Sequence, residues 1–267
     1  MIVLLRGGGD LASGVALRLF RSGLQPVITE ISQPLAVRRF VSFAEAVYRG
    51  EFSVEGVTAR LASAPEEVLP ILNSGCLPVL VDPQAEARRV LKPAVLVDAR
   101  MTKRSPEIGR EAASLVIGLG PGFSAGENCH AVIETNRGHS LGRVIWQGPA
   151  EADTGLPEAV ERRQGERVLR SPADGVLEAR AEIGQILEPG EEIARVNGTP
   201  ILAPFRGVLR GLLHPGLPVT AGLKVGDLDP RGDPRYCTLV SDKALAVGGG
   251  VLEAILSRPE LRPFLWT

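Results

Sequence analysis

The first thirty residues alternate short apolar runs with a glycine cluster. Met1–Arg6 begins with five apolar residues, Gly7–Gly9 follows directly, and apolar positions then recur at helical spacing from Leu11 to Leu19. A second short run, Gln25–Glu30, follows. Runs of this length are typical of buried strands, and the i, i+4 spacing is typical of a helix with one apolar face. The pattern predicts a strand, a glycine-rich turn, a helix and a second strand.

The same alternation continues to about residue 118. Strands are predicted at Val54–Leu61, Leu77–Asp82, Ala94–Asp98 and Ser114–Gly118, and helices at Pro65–Asn73 and Gln84–Leu91. Strands that alternate with helices favour a parallel sheet with helices on both faces. We therefore predict an α/β fold in which residues 1–165 form a Rossmann-like domain that binds a nucleotide or cofactor.

The second half contains an internal repeat. A shift of 32 residues aligns Pro172, Gly175, Val176, Leu177, Gly184 and Gly190 with Pro204, Gly207, Val208, Leu209, Gly216 and Gly222. Short strands separated by glycine turns predict a small all-β module over residues 166–231. The pattern resembles the biotinyl/lipoyl-type barrel-sandwich module.

Carrier modules of that type hold a modified lysine at a hairpin tip. Here Asn197-Gly198 predicts a type I′ hairpin turn within Ala194–Ile201. No lysine occurs between Lys103 and Lys224. We therefore expect a structural or docking element that carries no covalent swinging arm.

The C-terminal segment, residues 232–267, predicts a strand and a helix. The strand is expected at Tyr236–Ser241 and the helix at Asp242–Leu256, with Ser241 or Asp242 as its N-cap. Because the repeat module ends near Asp229, the topology allows this segment to return to the first domain and close its sheet.

Composition and charge narrow the class of protein. The 267 residues carry a formal net charge of −1, which argues against nucleic-acid binding as the main function. No apolar run reaches about 18 residues, so no membrane span is expected. The N-terminal run has no basic leader, and three distant cysteines suggest no disulfide framework. A cytoplasmic protein is predicted, and a homo-oligomer is left open.

The first glycine cluster matches the spacing of a dinucleotide-binding fingerprint. Gly7, Gly9 and Ala12 fit G-x-G-x-x-G/A between a strand and a helix, and Glu30 follows about 20 residues later, where a ribose hydroxyl would be bound. The predicted cofactor-binding residues here are Gly7, Gly8, Gly9, Asp10, Leu11, Ala12 and Glu30. The alternative is a tight turn that binds nothing, because the Asp10 charge would oppose a pyrophosphate unless it caps the helix.

A second glycine-rich loop follows the strand that ends at Gly118. Its candidate binding residues are Gly118, Gly120, Gly122, Arg137 and His139, since arginine and histidine beside glycine backbone can hold an anion. The alternative is a set of purely structural turns. Cys129, His130 and His139 lack the spacing of a zinc site, so no metal is expected.

No catalytic residue is assigned. A G-x-S-x-G elbow is missing from the sequence, which argues against a serine hydrolase. Asp98, Ala99, Arg100 and Lys103 lie at or after the end of a predicted strand and would lie near a cleft at the carboxyl edge of the sheet. The structural alternative for Lys103 is a solvated loop lysine.

Several motifs together resemble one family. They are Arg6–Gly14, Pro34–Arg39, Val54–Ala59, Gly118–Gly126, Val132–His139 and Ser241–Ala244. The chain resembles an accessory family of the selenium-dependent molybdenum hydroxylase system and is loosely similar to xanthine dehydrogenase accessory proteins. The resemblance implies binding of molybdenum cofactor or a dinucleotide form of it, a molybdenum hydroxylase subunit as partner, and a role in maturing that enzyme. If a thiol handled sulfur or selenium, Cys129 would be the first candidate.

Two other functions fit the same residues. An NAD(P)-dependent oxidoreductase would explain the fingerprint and Glu30, with His139 as a possible acid or base. A non-catalytic interaction scaffold with an empty Rossmann fold would explain the strand–helix pattern without any ligand.

Overall fold

The computed structural model describes residues 1–153 and 165–265. These residues divide into two compact units. The first comprises residues 1–34, 43–153 and 240–265, and the second comprises residues 35–42 and 165–239. The boundary predicted at residue 165 adjoins residues 154–164, which lie outside the described residues, as do the last two residues of the predicted C-terminal segment.

A nine-stranded mixed sheet forms the centre of the first unit. Its strands are β1 Ile2–Arg6, β2 Gln25–Glu30, β3 Glu51–Val54, β4 Val57–Ala62, β5 Leu77–Val81, β6 Val95–Asp98, β7 Leu115–Leu119, β9 Ala131–Ile133 and β10 Val144–Ile145. Their order across the sheet is β10-β9-β7-β6-β1-β2-β5-β4-β3. The seven inner strands are parallel, whereas β3 and β10 pair in antiparallel fashion at the two edges. A separate two-stranded sheet joins β8 Ser124–Ala125 and β11 Gly148–Pro149.

The helices of the first unit differ greatly in length. The α-helices are α1 Asp10–Arg21, α2 Ala46–Arg49, α3 Val68–Asn73, α4 Arg88–Leu91 and α5 Asp242–Leu256. Short 3₁₀ segments lie at Phe43–Glu45, Pro65–Glu67, Arg110–Ala112 and Pro259–Phe264. The predicted helix at 84–91 therefore contracts to a single turn, and the helix predicted at 65–73 begins as 3₁₀ helix.

Helices α1 and α5 pack closely because both carry glycine at the contact. A Cβ on Gly14 would lie 2.6 Å from the Cβ of Ala244, and a Cβ on Gly248 would lie 2.8 Å from the Gly14 carbonyl oxygen. The Ser241 hydroxyl accepts a hydrogen bond from the Ala244 amide at 3.1 Å and caps α5, so the structure selects Ser241 from the two predicted caps. Glycine is a poor helix former, but at Gly14 and Gly248 it permits the close helix contact.

One face of the sheet carries a continuous hydrophobic core. Alternate residues of the inner strands point to this face, and they include the fully buried or nearly buried Leu4, Val27, Leu80, Leu96 and Val116. Side chains two residues apart on a strand point to the same face of the sheet. Arg6 follows Leu4 in this way, and Asp98 follows Leu96, so both lie on this face at the carboxyl ends of their strands.

The second unit contains two four-stranded antiparallel sheets. They are followed by a 3₁₀ segment at Pro234–Cys237. The strands are β12 Val168–Arg170, β13 Gly175–Ala179, β14 Ile186–Leu187, β15 Glu192–Val196, β16 Thr199–Leu202, β17 Gly207–Leu212, β18 Pro218–Val219 and β19 Lys224–Asp229. One sheet has the order β12-β19-β17-β14 and the other β16-β15-β13-β18. A second short 3₁₀ segment, Arg39–Val41, belongs to the stretch 35–42.

The sequence repeat appears in this unit as exchanged pairing. β13 of the first copy pairs with β18 of the second, and β14 of the first copy pairs with β17 of the second. The hairpin at Asn197-Gly198 is confirmed, because β15 and β16 pair across it and both turn residues have positive φ.

The predicted fold class, α/β with a Rossmann-like parallel sheet plus a biotinyl/lipoyl-like barrel-sandwich module, is wrong. The large sheet is mixed, and it is accompanied by three separate antiparallel sheets. The hairpins β3–β4 and β9–β10 place an antiparallel strand at each edge of the sheet. An alternation of strands and helices in the sequence does not reveal such edge hairpins.

Two local predictions are also wrong. The strand predicted at Val54–Leu61 is split by a turn at Glu55-Gly56, where both residues have positive φ. The strand predicted at Tyr236–Ser241 is absent, because Pro234–Cys237 forms a 3₁₀ segment that Asp233 caps. Accordingly, no strand after β19 joins a sheet among the described residues.

Candidate active edge of the mixed sheet

The carboxyl ends of the parallel strands meet at one edge of the mixed sheet. β1 lies between β2 and β6, so the chain builds one side of the sheet from β1 through β2 and then crosses to the other side at β6. In open α/β sheets such a switch in direction leaves a crevice outside the strand ends, where ligands commonly bind. Residues that follow β1 and β6 therefore define the candidate site.

The first predicted glycine loop lies at this crevice. Gly7 has a φ of +96°, and a Cβ there would lie 3.4 Å from the backbone of Arg100. Gly9 is the N-cap of α1 and has open space where a Cβ would stand, with no side-chain cap on the helix. Asp10 and Leu11 are partly exposed in the first turn, and Ala12 is buried.

Glu30 ties β2 to this loop. Its Oε2 accepts a hydrogen bond from the Gly8 amide at 2.7 Å, and its Oε1 accepts one from the Ile31 amide at 2.8 Å. Nearby, burial together with the charges of Glu45 and Glu30 raises the pKa of Tyr48 to about 12. The sequence prediction places Glu30 against a ligand hydroxyl, and the structure gives it a contact with the loop backbone.

A cluster of four charged side chains stands beside the loop. The Arg6 guanidinium donates to Asp98 Oδ2 at 3.0 Å and to Glu107 Oε2 at 3.3 Å. Arg100 donates to both oxygens of Asp98, at 3.0 and 2.7 Å, and to Glu107 Oε2 at 2.7 Å. Arg6 and Asp98 are almost fully buried, whereas the Glu107 side chain is 64% exposed.

The cluster shifts the ionisation of its members. Hydrogen bonds from Arg100, helped by the Arg100 charge and by Arg6, lower the pKa of Glu107 to about 2. The bonds and charges of Asp98 and Glu107 raise the pKa of Arg100 although its burial acts in the opposite direction. Arg100 and Glu107 are therefore both charged at neutral pH.

An apolar cavity of about 510 Å³ opens along the same edge, at the carboxyl ends of β4 and β5. Leu61, Ala64, Leu80, Val81, Ala87 and Val90 form its apolar wall, and Asp82 and Glu86 are its acidic members. Pro83 also lines the cavity, and its carbonyl oxygen accepts a hydrogen bond from Arg6 Nη2 at 3.4 Å. The cavity and the charged cluster therefore share a wall.

Unusual backbone conformations occur in the two loops that border this region. Three of the six non-glycine residues with positive φ in the described chain are Ala85, Met101 and Lys103. Ala85 lies in the loop after β5, and the other two lie in the loop after β6. Such conformations cost free energy and are concentrated at functional sites in proteins.

The second predicted glycine loop packs against its own chain. A Cβ on Gly118 would overlap the Phe123 ring, and one on Gly120 would overlap the Thr135 hydroxyl. A Cβ on Gly122 would lie 2.6 Å from the Arg104 carbonyl oxygen. Each glycine is thus required by a close approach within the unit, and ligand contact by this loop stays a prediction.

Arg137 and His139 lie in the turn between β9 and β10. Arg137 forms a two-bond ion pair with Asp242 in the first turn of α5, at 2.6 and 2.7 Å. The His139 side chain is exposed, and its carbonyl oxygen accepts a hydrogen bond from Arg143. Their role in binding an anion stays a prediction.

Cys129 is unsuited to thiolate chemistry at neutral pH. The side chain is completely buried, and this burial raises the pKa of its thiol to about 11. The neighbouring His130 accepts a hydrogen bond from the Val116 amide through Nδ1 at 2.9 Å, and burial lowers its pKa. Both residues are therefore uncharged parts of the packing around β7.

Sequence reasoning identified Asp98 and Arg100 but missed Arg6, Glu107 and the cavity. The sequence showed Arg6 as the end of an apolar run and the start of the Arg6–Gly14 motif, but not as a site residue. Glu107 lies 101 residues further along the chain. Among the described residues, no cluster of three or more histidine, cysteine or acidic side chains could hold a metal ion. Within the same part of the chain, no helix has the length and apolarity needed to cross a membrane.

No protein-family model matches the chain. A search of curated proteins matches the "Uncharacterized protein YqeB" of Escherichia coli (strain K12), which is 47% identical over 255 residues. The match covers 96% of this chain and 47% of that protein, so the chain spans about half the length of this relative.

Solved structures match at much lower similarity. An aspartoacylase family protein from Mesorhizobium loti is 10% identical, with 85% of this chain and 83% of that chain covered and a TM-score of 0.26. A succinylglutamate desuccinylase from Silicibacter sp. TM1040 is 14% identical, with coverages of 85% and 84% and a TM-score of 0.25. A succinylglutamate desuccinylase/aspartoacylase from Rhodobacter sphaeroides is 16% identical, with the same coverages and a TM-score of 0.26. Likeness at this level transfers neither a fold nor a reaction.

These comparisons correct the family interpretation of the sequence. The matches named above are one relative called uncharacterised and three structures described as aspartoacylase or desuccinylase proteins. None is described as part of a molybdenum or selenium system, so the assignment to a molybdenum hydroxylase accessory family is wrong, and the maturation function falls with it. The alternatives of an NAD(P)-dependent oxidoreductase and of a scaffold with an empty Rossmann fold are likewise set aside. The cytoplasmic location and a homo-oligomer stay predictions.

Proposed function

We propose that the first unit binds a small organic molecule at the carboxyl edge of the mixed sheet, with an apolar or aromatic group seated in the cavity beside β4 and β5. The observation that carries the proposal is the cavity of about 510 Å³ that shares Pro83 with the buried Arg6 cluster. Ligand sites are usually concave, mostly apolar and of about 300–1,000 Å³, with a few polar groups that fix orientation.

The lining of the cavity restricts the group that it accepts. Its walls are mainly alanine, leucine, valine and proline side chains, and its charged members are the carboxylates of Asp82 and Glu86. Asp82 Oδ2 accepts a hydrogen bond from the Ala87 amide at 2.8 Å, and Glu86 pairs with Arg88 and Arg89. An uncharged apolar group suits this surface, whereas an anionic group inside it would meet two carboxylates.

The polar end of the ligand would lie toward the switch between β1 and β6. There Glu30 and the Gly7–Ala12 loop offer a carboxylate and the uncapped amino end of α1. These residues, which the sequence also singles out, are proposed as the polar part of the site. No reaction is assigned to it.

The proposal is tested with the neutral apolar dye N-phenyl-1-naphthylamine. We expect saturable fluorescence enhancement with the wild-type protein and at least about tenfold weaker binding for Ala64→Trp, because Ala64 lines the cavity and tryptophan would fill it. Ala221→Trp places the same side chain on an exposed turn of the second unit and serves as the control. Equal dye affinity for wild type and Ala64→Trp would overturn the proposal.

A further inference from the structure

The Glu107 carboxylate occupies an unusual position for an exposed acid. It is 64% exposed, yet it binds Arg6, whose side chain is 1% exposed, as well as Arg100. Its Oε2 lies 2.7 Å from Arg100 Nη2, and its Oε1 lies 3.5 Å from Arg100 Nη1. The carboxylate therefore faces the outer fork of the Arg100 guanidinium, the geometry in which arginine recognises carboxylates and phosphates.

Without Glu107, the cluster would carry a net positive charge. Arg6 and Arg100 contribute two positive charges, and the buried Asp98 neutralises one of them through bonds to both guanidinium groups. The second charge is neutralised by Glu107, the one member of the cluster that is largely open to solvent. Turning the Glu107 side chain outward would leave an anion position with two arginines at its base.

We infer that Glu107 stands in the position of an anionic group of the ligand, a carboxylate or a phosphate monoester, that Arg6 and Arg100 would bind in its place. This inference rests on the proposed function and adds the chemistry of the ligand's polar end. The shared Pro83 wall puts this anion position beside the apolar cavity. The ligand class is thus an amphiphilic organic acid or phosphate ester.

Competition by Glu107 has a measurable consequence. When a side chain of the protein occupies the site, only the open molecules can bind the ligand. The apparent association constant then equals the intrinsic constant multiplied by the fraction of molecules in which the site is open. Removing the carboxylate charge by Glu107→Gln should therefore strengthen binding of anions, while leaving neutral ligands of the cavity unchanged.

The experiment is calorimetric titration of the full chain with three probes. They are 4-phenylbutyrate, 3-phenylpropyl phosphate and the neutral 4-phenylbutanamide. We expect Glu107→Gln to bind at least one of the two anions about tenfold more tightly than wild type, with unchanged affinity for the amide. The anion that gains more identifies the preferred group.

Two further variants control for charge and for geometry. Glu51→Gln removes the same formal charge from an exposed residue that pairs with Arg60 outside the cavity lining, so its anion affinities should stay within about threefold of wild type. Adding Arg100→Lys to Glu107→Gln keeps the positive charge but removes the fork, and should abolish the gain.

The outcomes separate the inference from the proposed function. Binding of the amide without an anion gain in Glu107→Gln would overturn the inference and leave the cavity proposal intact. An equal gain in Glu51→Gln would overturn it as well, because the loss of any negative charge would then explain the effect. Failure of all three probes to bind either protein at millimolar concentration would overturn both.

Discussion

The Arg6 guanidinium donates to Asp98 Oδ2 at 3.0 Å, and the two side chains are 1% and 3% exposed. They are partners in strand register as well, since they are the last residues of β1 and β6. The pair therefore fastens the two strands at the point where the sheet changes direction. It also places the Arg6 guanidinium at the carboxyl edge of the sheet, where its Nη2 donates to the carbonyl oxygen of Pro83 in the cavity wall.

The buried pair predicts a large effect of a small substitution. Asp98→Asn should lower the free energy of unfolding by about 3–5 kcal/mol, because it leaves Arg6 buried without its main countercharge. Urea unfolding followed by circular dichroism measures this change. Glu51→Gln breaks an exposed ion pair with Arg60 and should cost only about 0–1 kcal/mol. Similar decreases in the free energy of unfolding for both variants would show that the buried Arg6–Asp98 pair stabilises the fold no more than an exposed ion pair does.

Adjacent glycines in α5 predict opposite effects of the same substitution. Gly248→Ala should destabilise the protein by about 1–3 kcal/mol, because its Cβ would lie 2.8 Å from the Gly14 carbonyl oxygen and 2.9 Å from Arg18 Cγ. Gly249→Ala meets nothing within 4 Å and should stabilise it by about 0.5–1 kcal/mol, since alanine is the better helix former. The two free energies of unfolding are compared by urea titration. Stabilisation by both would contradict the observed packing of α1 on α5.

Local signals in the sequence predict local structure well. The apolar run, glycine turn and helical spacing at the N-terminus give β1, α1 and β2 within one residue at most boundaries. Ser241 caps α5 and the Asn197-Gly198 turn joins β15 to β16, because each depends on the chemistry of a few neighbouring residues. The local sequence does not predict the turn at Glu55-Gly56. There a glutamate with positive φ interrupts a pattern that reads as one continuous strand.

The candidate site depends on contacts that no local pattern contains. Arg6 meets Asp98 and Glu107 from 92 and 101 residues away, and only the order of strands in the sheet brings them together. The second glycine loop shows the converse. Its spacing resembles a phosphate loop, yet each glycine is explained by close packing on Phe123, Thr135 or Arg104. A glycine pattern alone does not distinguish a ligand from the chain itself.

The buried Cys129 thiol predicts a loss of stability at high pH. Its pKa is about 11 in the folded protein and about 9 in the unfolded chain, so the folded state keeps the proton more tightly. Its contribution is complete below about pH 9 and is lost as the pH rises to about 11, with a slope near 1.4 kcal/mol per pH unit. Urea unfolding of wild type and Cys129→Ala between pH 8 and 11 measures the difference. Parallel pH profiles for the two proteins would contradict the assignment.

The lowered pKa of Glu107 predicts a loss of stability as the pH falls, the opposite of the pH dependence expected for Cys129. Because hydrogen bonds from Arg100 lower its pKa from about 4.5 to about 2, its contribution to stability is present above about pH 4.5 and is lost as the pH falls toward 2. The side chain is largely exposed, so solvent screening keeps the size of this contribution small and the pKa itself is the better observable. Titration of the Glu107 side-chain carboxyl carbon by NMR, assigned by its disappearance in Glu107→Gln, measures that pKa directly. A midpoint near 4.5 would show that the carboxylate is free of Arg6 and Arg100 in solution. A midpoint near 2 that rises in Arg100→Lys would establish that the arginine fork holds it.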